Sequence, residues 1–452
     1  MPKAVLVAAI GRGHALAKKF HQSGVQLHSF MPFYNPGIAA CSASFQIGDI
    51  NDPALVASFA EKIDPDYVFV AGDDPIAAGA ADAVQEKGFA AIAPVKACAR
   101  LESDKAFARQ FMKEYVPDGT PSFDVFTDAE EARQYIDAVA FDVVIKPSGL
   151  TGGKGVKVQG VQLKDKADAK AYVAESLRTY PGGVVVEEKL DGEEFSLHCF
   201  VDGTHFATMP LVQDHKTAFD GDSGPMTGGM GTYTMPDGKL PFVTDADYQK
   251  ALSIVQRTVD GIRDKTGVKY KGILYAQFML TRNGPMLIEY NVRFGDPEAM
   301  NLMPLMKTNF HDVCSAVVDE ELEGFKVEFE PKASVCKYVV PAGYPDRKDK
   351  FEFKVDESKL PDVDLYYSGV ERKPDGALWT TGSRAFGLVS TDATLSGAYQ
   401  KVESALSSLD LTGLRYRKDI GSEASIQRKI DRMARIRSGN AAIRKEQAVK
   451  NQ

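Results

Sequence analysis

Short apolar runs alternate with amphipathic stretches over the first hundred residues. Ala4-Val-Leu-Val-Ala-Ala-Ile10 and Tyr67-Val-Phe-Val-Ala71 lack a polar face, the pattern of strands buried on both sides. His14 to His21 reads as a helix, and Gly72-Asp-Asp-Pro75 leads into another. This alternation predicts a parallel α/β sheet, in which ligands meet the carboxyl ends of the strands. Gly11-Arg-Gly-His14 and Gly72–Pro75 fall at those ends.

From Ser103 the texture changes. Ser103 reads as the N-cap of a helix running to Glu114, while Val143-Val-Ile-Lys146 and Val184-Val-Val-Glu-Glu188 read as strands. Ile273 to Leu280, the turn Thr281-Arg-Asn-Gly284 and Pro285 to Asn291 form a hairpin pattern. Side chains alternate faces along a strand, so Glu289, Asn291 and Arg293 should point the same way. A third block, 327–421, is strand-rich and closes with a helix near Leu395 to Leu406. Beyond Ser422, Ile426, Ile430, Met433 and Ile436 share one helical face. No internal repeat is evident.

A chain of 452 residues has room for two to four domains. The net charge of −8 gives no support to a whole-protein role on nucleic acid or anionic membranes, and no apolar run is long enough to span a bilayer. The apolar start reads as a buried strand rather than a signal peptide. Five scattered cysteines without a CxxC pair indicate neither a disulfide framework nor a zinc site, and a reducing cytoplasm fits best. Between Ala424 and Gln452 eight Lys/Arg face two acids, a local balance of +6. That tail reads as an amphipathic helix packed on the body; contact with RNA or a partner is the second reading.

Glu289 and Asn291 offer two hard oxygen ligands beside the fixed cation Arg293, which suits a magnesium–nucleotide site. A polar, solvent-facing strand side is the competing reading. Pro147-Ser-Gly-Leu-Thr-Gly-Gly-Lys-Gly-Val156 is dense enough in glycine to let the backbone approach phosphate, though the Walker A spacing is absent. Lys146 at a buried strand end needs an anion, a phosphate in preference to a structural ion pair. The first loop is not a dinucleotide fingerprint, because Leu16 occupies the third glycine position. His14 reads as a helix-start or substrate-orienting histidine. His215 is open between a satisfied loop histidine and a substrate contact. Asp296 and Glu298 read as acids at the start of the helix that follows Pro297.

Five motifs in this order resemble one family. They are Gly11-Arg-Gly-His-Ala-Leu16; Pro94 to Ala108; Gln213-Asp-His-Lys216; Asp222-Ser-Gly-Pro-Met-Thr-Gly-Gly-Met-Gly231; and Asn291-Val-Arg-Phe-Gly-Asp-Pro-Glu298. From Val5 to about Gly421 the chain resembles the glycinamide ribonucleotide synthetase family of the ATP-grasp superfamily. The resemblance implies an α/β multidomain fold. Its parts would be an N-terminal parallel α/β domain (1–103), a central α+β ATP-grasp domain (104–326) with an inserted lid at about 125–190, and a small C-terminal α+β domain (327–421). The basic helical tail, 422–452, lies outside the pattern.

The implied activity is ATP-dependent ligation of glycine to 5-phosphoribosylamine through glycyl phosphate, in de novo purine biosynthesis. The alternatives are a ligase for another carboxylate and amine, or a nucleotide sensor without turnover. The resemblance implies that Lys105 and Lys146 sit on the ATP phosphates under the loop Gly152-Gly153-Lys154. It also implies that Glu187 and the backbone from Glu188 to Leu190 hold the adenine, Glu194 the ribose, and Glu289 and Asn291 a Mg²⁺ or Mn²⁺ ion. Arg293, Asp214 and Lys216 would be catalytic. Gly11, Arg12, His14, Gly228 and Gly229 would join Asp214 and Arg293 around the substrates. A cytoplasmic monomer or dimer without nucleic-acid or membrane partners follows. Three positions depart from the family pattern: Gly13 replaces a glutamate, Met226 an asparagine, and Ser148 to Lys154 varies the phosphate loop. Gly13 and Met226 fall where the amine should be chosen.

Overall fold

The computed structural model describes residues 1–149, 155–180 and 182–450, with side chains to residue 439. The first hundred residues form a five-stranded parallel sheet. Its order is Ser44–Ile47, Gln26–Met31, Lys3–Val7, Tyr67–Val70 and Ala90–Ile92. The order reverses between Lys3–Val7 and Tyr67–Val70, so a crevice opens at their carboxyl ends. Two helices begin there, Gly11–Gln22 and Asp73–Ala78. The first strand is shorter than its apolar run, because the helix starts at Gly11 and Ala8 to Ile10 are spent on the turn.

A hinge helix, Lys96–Ser103, leads to the nucleotide-side helix Lys105–Tyr115. Ser103 ends the first of these instead of capping the second. Asp104 is the cap: its carboxylate accepts the Phe107 N–H at 3.0 Å and also the Ser148 hydroxyl at 3.0 Å. An aspartate can take both bonds at once, and the hydroxyl ties the helix start to the phosphate loop.

The lid is an antiparallel sheet ordered Phe123–Phe126, Val184–Glu188, Val143–Pro147 and Lys157–Val158, covered by the helices Ala129–Ala138 and Lys166–Thr179. It has its own core, including Phe126, Ile136, Val143 and Val186. Facing it is a second antiparallel sheet ordered Phe206–Thr208, Glu193–Asp202, Lys271–Thr281 and Gly284–Asn291. The long helix Asp245–Thr266 backs this sheet and opens with a reciprocal cap between Thr244 and Asp247.

The C-terminal sheet runs Gln213–Asp214, Gly231–Thr234, Ala333–Pro341, Phe386–Asp392 and Asp364–Tyr367. Its first two strands precede residue 326, so the glycine-dense loop is mounted on the C-terminal sheet. The helix Leu395–Ser408 covers it. The tail helix, Glu423–Lys450, lies on the body, with Ile426 and Met433 buried and Ile430 and Ile436 packed against the main core. Among the described residues no helix is long and apolar enough to cross a membrane.

Candidate functional site

The strand Gly284–Asn291 carries the centre of the site. Pairing with Lys271–Thr281 slips by one residue: Gln277 faces Glu289, whereas Phe278 faces Leu287. The extra residue, Ile288, makes a bulge and reverses which parity faces the core. Before it, Pro285 and Leu287 are buried; after it, Tyr290 and Val292 are. Met286, Ile288, Glu289 and Asn291 are thereby turned to the cleft between this sheet and the lid. The cleft wall is apolar at one end and carries hard oxygen donors at the other.

The bulge also frees a carbonyl. Ile288 O accepts from Lys146 Nζ at 3.0 Å and from Arg109 Nη2 at 2.7 Å, while Arg109 Nη1 reaches Leu287 O at 3.4 Å. The two cations share Glu187: Lys146 Nζ lies 2.6 Å from Oε1, and Arg109 Nε 2.6 Å from Oε2. Burial would raise Glu187, but Arg109 and Lys146 outweigh it and hold the carboxyl below its usual range. Glu187 therefore orients Lys146, and its carboxylate is committed to cations. Lys105 donates to Gly149 O at 2.6 Å. Burial pushes both Lys105 and Lys146 down, against the opposing pull of Glu187 on Lys146 and of Glu289 on both. Gly152, Gly153 and Lys154 lie outside the described residues.

Lys216 Nζ stands 3.9 Å from a Glu289 oxygen and 3.9 Å from a Glu194 oxygen. Burial acts to raise Glu289, yet Lys216, Lys146 and Lys105 together keep it ionised. Glu194, expected on the ribose, also accepts from Gln277 Nε2 at 2.7 Å, which places it beside Lys216. The Asn291 Nδ2 is buried without a hydrogen-bond partner among the described residues. In the segment expected on the adenine, the Glu188 side chain accepts the Ser122 N–H at 3.2 Å, and Leu190 is half-buried at the crossing from lid to sheet.

At the crevice of the parallel sheet two arginines and two carboxylates interlock. Arg12 donates to Asp73 at 3.0 Å and to Phe294 O at 3.0 Å; Arg293 pairs with Glu102 at 2.8 Å. Glu102 also accepts the Val292 N–H at 2.7 Å. Burial, helped by Asp73, pushes Glu102 up to about 7 against the pull of Arg293. Asp73 is the opposite case: burial raises it, but Arg293 and Arg12 bring it down to about 2. The Arg293 Nε has no hydrogen-bond partner among the described residues.

A third cluster surrounds Asp214. Burial and the nearby Glu298 push its carboxyl well above the usual range. Glu298 accepts the Tyr275 hydroxyl at 2.7 Å. A Cβ on Gly229 would come within 2.4 Å of Asp214 Oδ1 and 2.4 Å of Pro297, so only glycine fits there. Gly228 and Gly229 are held by Arg384, which donates to Gly229 O at 2.7 Å. His215 donates its backbone N–H to Asp214 at 2.7 Å; its ring is buried beside Tyr233 and burial pushes it down to about 3.

Several expected positions fall elsewhere. His14 packs between Tyr366 and Tyr367, and its Nδ1 accepts the Tyr367 N–H at 2.9 Å. Burial brings it down to about 3, so it is a neutral histidine at the contact between the first and last domains. Gly11 faces Tyr338 and Met300 at the same contact. A Cβ on Gly13 would lie 2.7 Å from the Ala8 Cβ and 3.1 Å from Ile38, so this glycine lets the helix settle on its own sheet. Met226 is exposed on the hairpin formed by Thr217–Phe219 and Ser223–Met226, paired with Thr217. Asp296 caps a distant helix: it accepts the Arg12 N–H at 2.9 Å and pairs with Arg384 at 3.0 Å. Glu298, by contrast, stands where expected, as the acid in the first turn of the helix Glu298–Leu305, and its carboxylate also accepts the Tyr275 hydroxyl.

Sequence reading missed Glu102, Arg109, Asp73 and Arg384. Arg109 had a signal, being a charge on the same helix face as Ala108 and Met112. The other three meet their partners only through the tertiary fold.

Comparison with known proteins adds an independent line. Residues 3–102, 103–299 and 334–423 match, in turn, the N domain, the ATP-grasp (A) domain and the C domain described for phosphoribosylglycinamide synthetase. The phosphoribosylamine–glycine ligase of Methanosarcina acetivorans is 44% identical over 439 residues, covering 97% of this chain and 98% of that protein. That of Methanopyrus kandleri is 41% identical, covering 97% and 100%. The crystal structure of phosphoribosylamine–glycine ligase from Thermotoga maritima superposes with a TM-score of 0.78 at 28% identity, covering 92% of this chain and all of the other. The biotin carboxylase domain of Hydrogenobacter thermophilus 2-oxoglutarate carboxylase shares the fold at a TM-score of 0.65 and 15% identity, covering 97% and 96% of the chains.

Proposed function

Because the chain belongs to the phosphoribosylglycinamide synthetase family, we propose that it joins glycine to 5-phosphoribosylamine, using ATP, to give glycinamide ribonucleotide, ADP and phosphate. It is an ATP-dependent ligase of purine biosynthesis. A carboxylate acylates an amine poorly, so the glycine carboxylate first takes the γ-phosphoryl group. The amine then attacks the carbonyl carbon of glycyl phosphate, forming the C–N bond as the C–O bond to phosphate breaks and inorganic phosphate leaves. Phosphoryl transfer relies on positioning and charge neutralisation.

One observation carries this reading. The bulged strand turns Met286 and Ile288, then Glu289 and Asn291, into a single cleft, with Lys105, Lys146 and Lys216 charging its acidic end. The apolar end suits a purine base and the charged end a triphosphate. Lys146, aimed by Glu187, and Lys105 bind and orient the phosphates. Lys216 and Arg293 lie toward the acyl phosphate, and Asp214 with Gly228 and Gly229 borders the substrates.

The residues present also fit a hard divalent cation, Mg²⁺ or Mn²⁺. The Glu289 carboxylate is ionised, and the buried Asn291 nitrogen without a partner becomes an oxygen donor when the amide is flipped. Glu289 and Asn291 would hold the ion, which supplies positive charge to the phosphates when bound. We place the activity in the cytoplasm, where free cysteines such as the five here persist.

The test is ADP release with glycine, with and without phosphoribosylamine generated in place. Release that requires both supports the assignment. Release with a different acid or amine, or none while ATP still binds, would replace it.

A further inference from the structure

The tail helix does more than pack on the body. At the apolar end of the cleft, Glu188 and Leu190 from the lid crossing and Met286 from the bulged strand meet Arg435, Ile436 and Gly439 of the tail. Together with the adjoining hairpin turn they enclose a cleft of about 430 Å³. Met286 stands one side-chain repeat before Ile288, about 7 Å along the strand, and Ile288 O is the carbonyl that Lys146 touches. The tail therefore reaches the end of the cleft farthest from the phosphate-binding lysines.

The helix is fixed there by ion pairs on both sides of the crossing. Lys429 bridges Glu193 at 3.3 Å and Asp222 at 3.2 Å. Arg432 pairs with Asp191 at 2.8 Å and with Glu193 at 3.1 Å, and Arg437 pairs with Asp247. Asp191 and Glu193 flank the same short crossing that carries Leu190. These contacts hold Ile436 beside the crossing, half-buried and lining the cleft.

We propose that the tail helix is a wall of the nucleotide site, with Ile436 packing on the purine base of the bound nucleotide. This rests on the reading that ATP occupies the cleft. The base would lie between Met286 and Leu190 on one side and Ile436 on the other. An apolar wall favours the flat face of a purine without reading its edge, so Ile436 contributes affinity and the crossing backbone contributes the choice of base.

The test uses the full chain and ADP with excess Mg²⁺, followed by titration calorimetry. Ile436→Ala weakens ADP about five-fold, the loss expected for part of one apolar side chain. Ile436→Leu stays within about two-fold, because it keeps the apolar volume. Ile430→Ala, on the same helix and packed on the core but not among the residues that line this cleft, lowers the thermal midpoint and leaves ADP binding within about two-fold of wild type. If Ile436→Ala binds ADP as the wild type does, or if Ile430→Ala weakens ADP as much, the inference fails and the tail is structural. A wild type that binds no ADP overturns the nucleotide reading itself, and the inference with it.

Discussion

Glu102 Oε1 lies 2.8 Å from Arg293 Nη2, where the helix Lys96–Ser103 meets the segment that follows the strand Gly284–Asn291. The pair joins the end of the N-terminal domain to that strand. Burial nonetheless pushes Glu102 up from 4.5 to about 7.

That shift predicts a pH dependence. The folded protein holds the Glu102 proton more tightly than the unfolded chain does. Its contribution is full below about pH 4.5 and is lost as pH rises through about 7, with a ceiling of about 3 kcal/mol. Glu102→Gln cannot titrate. The difference in thermal midpoint between variant and wild type should move in favour of the variant from pH 5 to pH 8. The lost ion pair sets the offset between the curves, and only the titration sets their slope. Parallel curves would show that Glu102 is ionised throughout.

Glu289→Gln and Asn291→Ala should each lower turnover by about 10²-fold or more, the scale for removing a charge-stabilising donor or ligand. Neither side chain holds up the core, so the thermal midpoint should shift by only a few degrees. ADP release under saturating substrates measures the first and a melting curve the second. Near-wild-type rates in either variant would remove the metal assignment.

How far the sequence disclosed this arrangement depends on the range of each interaction. Glu289 and Asn291 were readable together because strand alternation is local. The bulge at Ile288 was not, since it depends on the partner strand, and it explains why Leu287 does not share their face. The parallel sheet and lid strands were visible as apolar runs. The mounting of the glycine-dense loop on the C-terminal sheet was not, because Gly231–Thr234 pairs with Ala333–Pro341 about a hundred residues later. Asp104 was overlooked as a cap because Ser103 is an equally good one by residue type; the fold separates them, since Ser103 ends the preceding helix and the Asp104 carboxylate takes the Phe107 N–H and the Ser148 hydroxyl. The packing of Gly13 on Ala8 and Ile38 was not legible either, because a motif records which residue stands at a position and omits which way it faces.

The Arg109–Glu187–Lys146 chain predicts a stability effect distinct from the catalytic one. Arg109→Met leaves one Glu187 oxygen and the Leu287 carbonyl without their donor, all within a buried site. Breaking one partner from such a site costs about 3–5 kcal/mol. ATP affinity should fall as well, since Lys146 is then the sole cation on Glu187. Denaturation and nucleotide titration on the same preparation separate the two effects. Unchanged stability would mean that Lys146 alone satisfies Glu187.

Gly229 and Gly13 both exclude a side chain, and the two exclusions predict different losses. Gly229→Ala drives a methyl group into Asp214 and Pro297, each 2.4 Å away, and must displace the carboxylate or the loop. Turnover should fall by about 10²-fold, in line with misplacing a reacting group by an ångström. Gly13→Ala instead meets the Ala8 Cβ at 2.7 Å and Ile38 at 3.1 Å, so the helix must lift from its sheet. Overpacking of that kind costs about 1–3 kcal/mol, partly offset by the better helix propensity of alanine, about 1 kcal/mol. The expected result is a lower thermal midpoint with little change in KM for the amine. If Gly13→Ala melts like the wild type and raises that KM selectively, then Gly13 borders the amine, as the family pattern had implied.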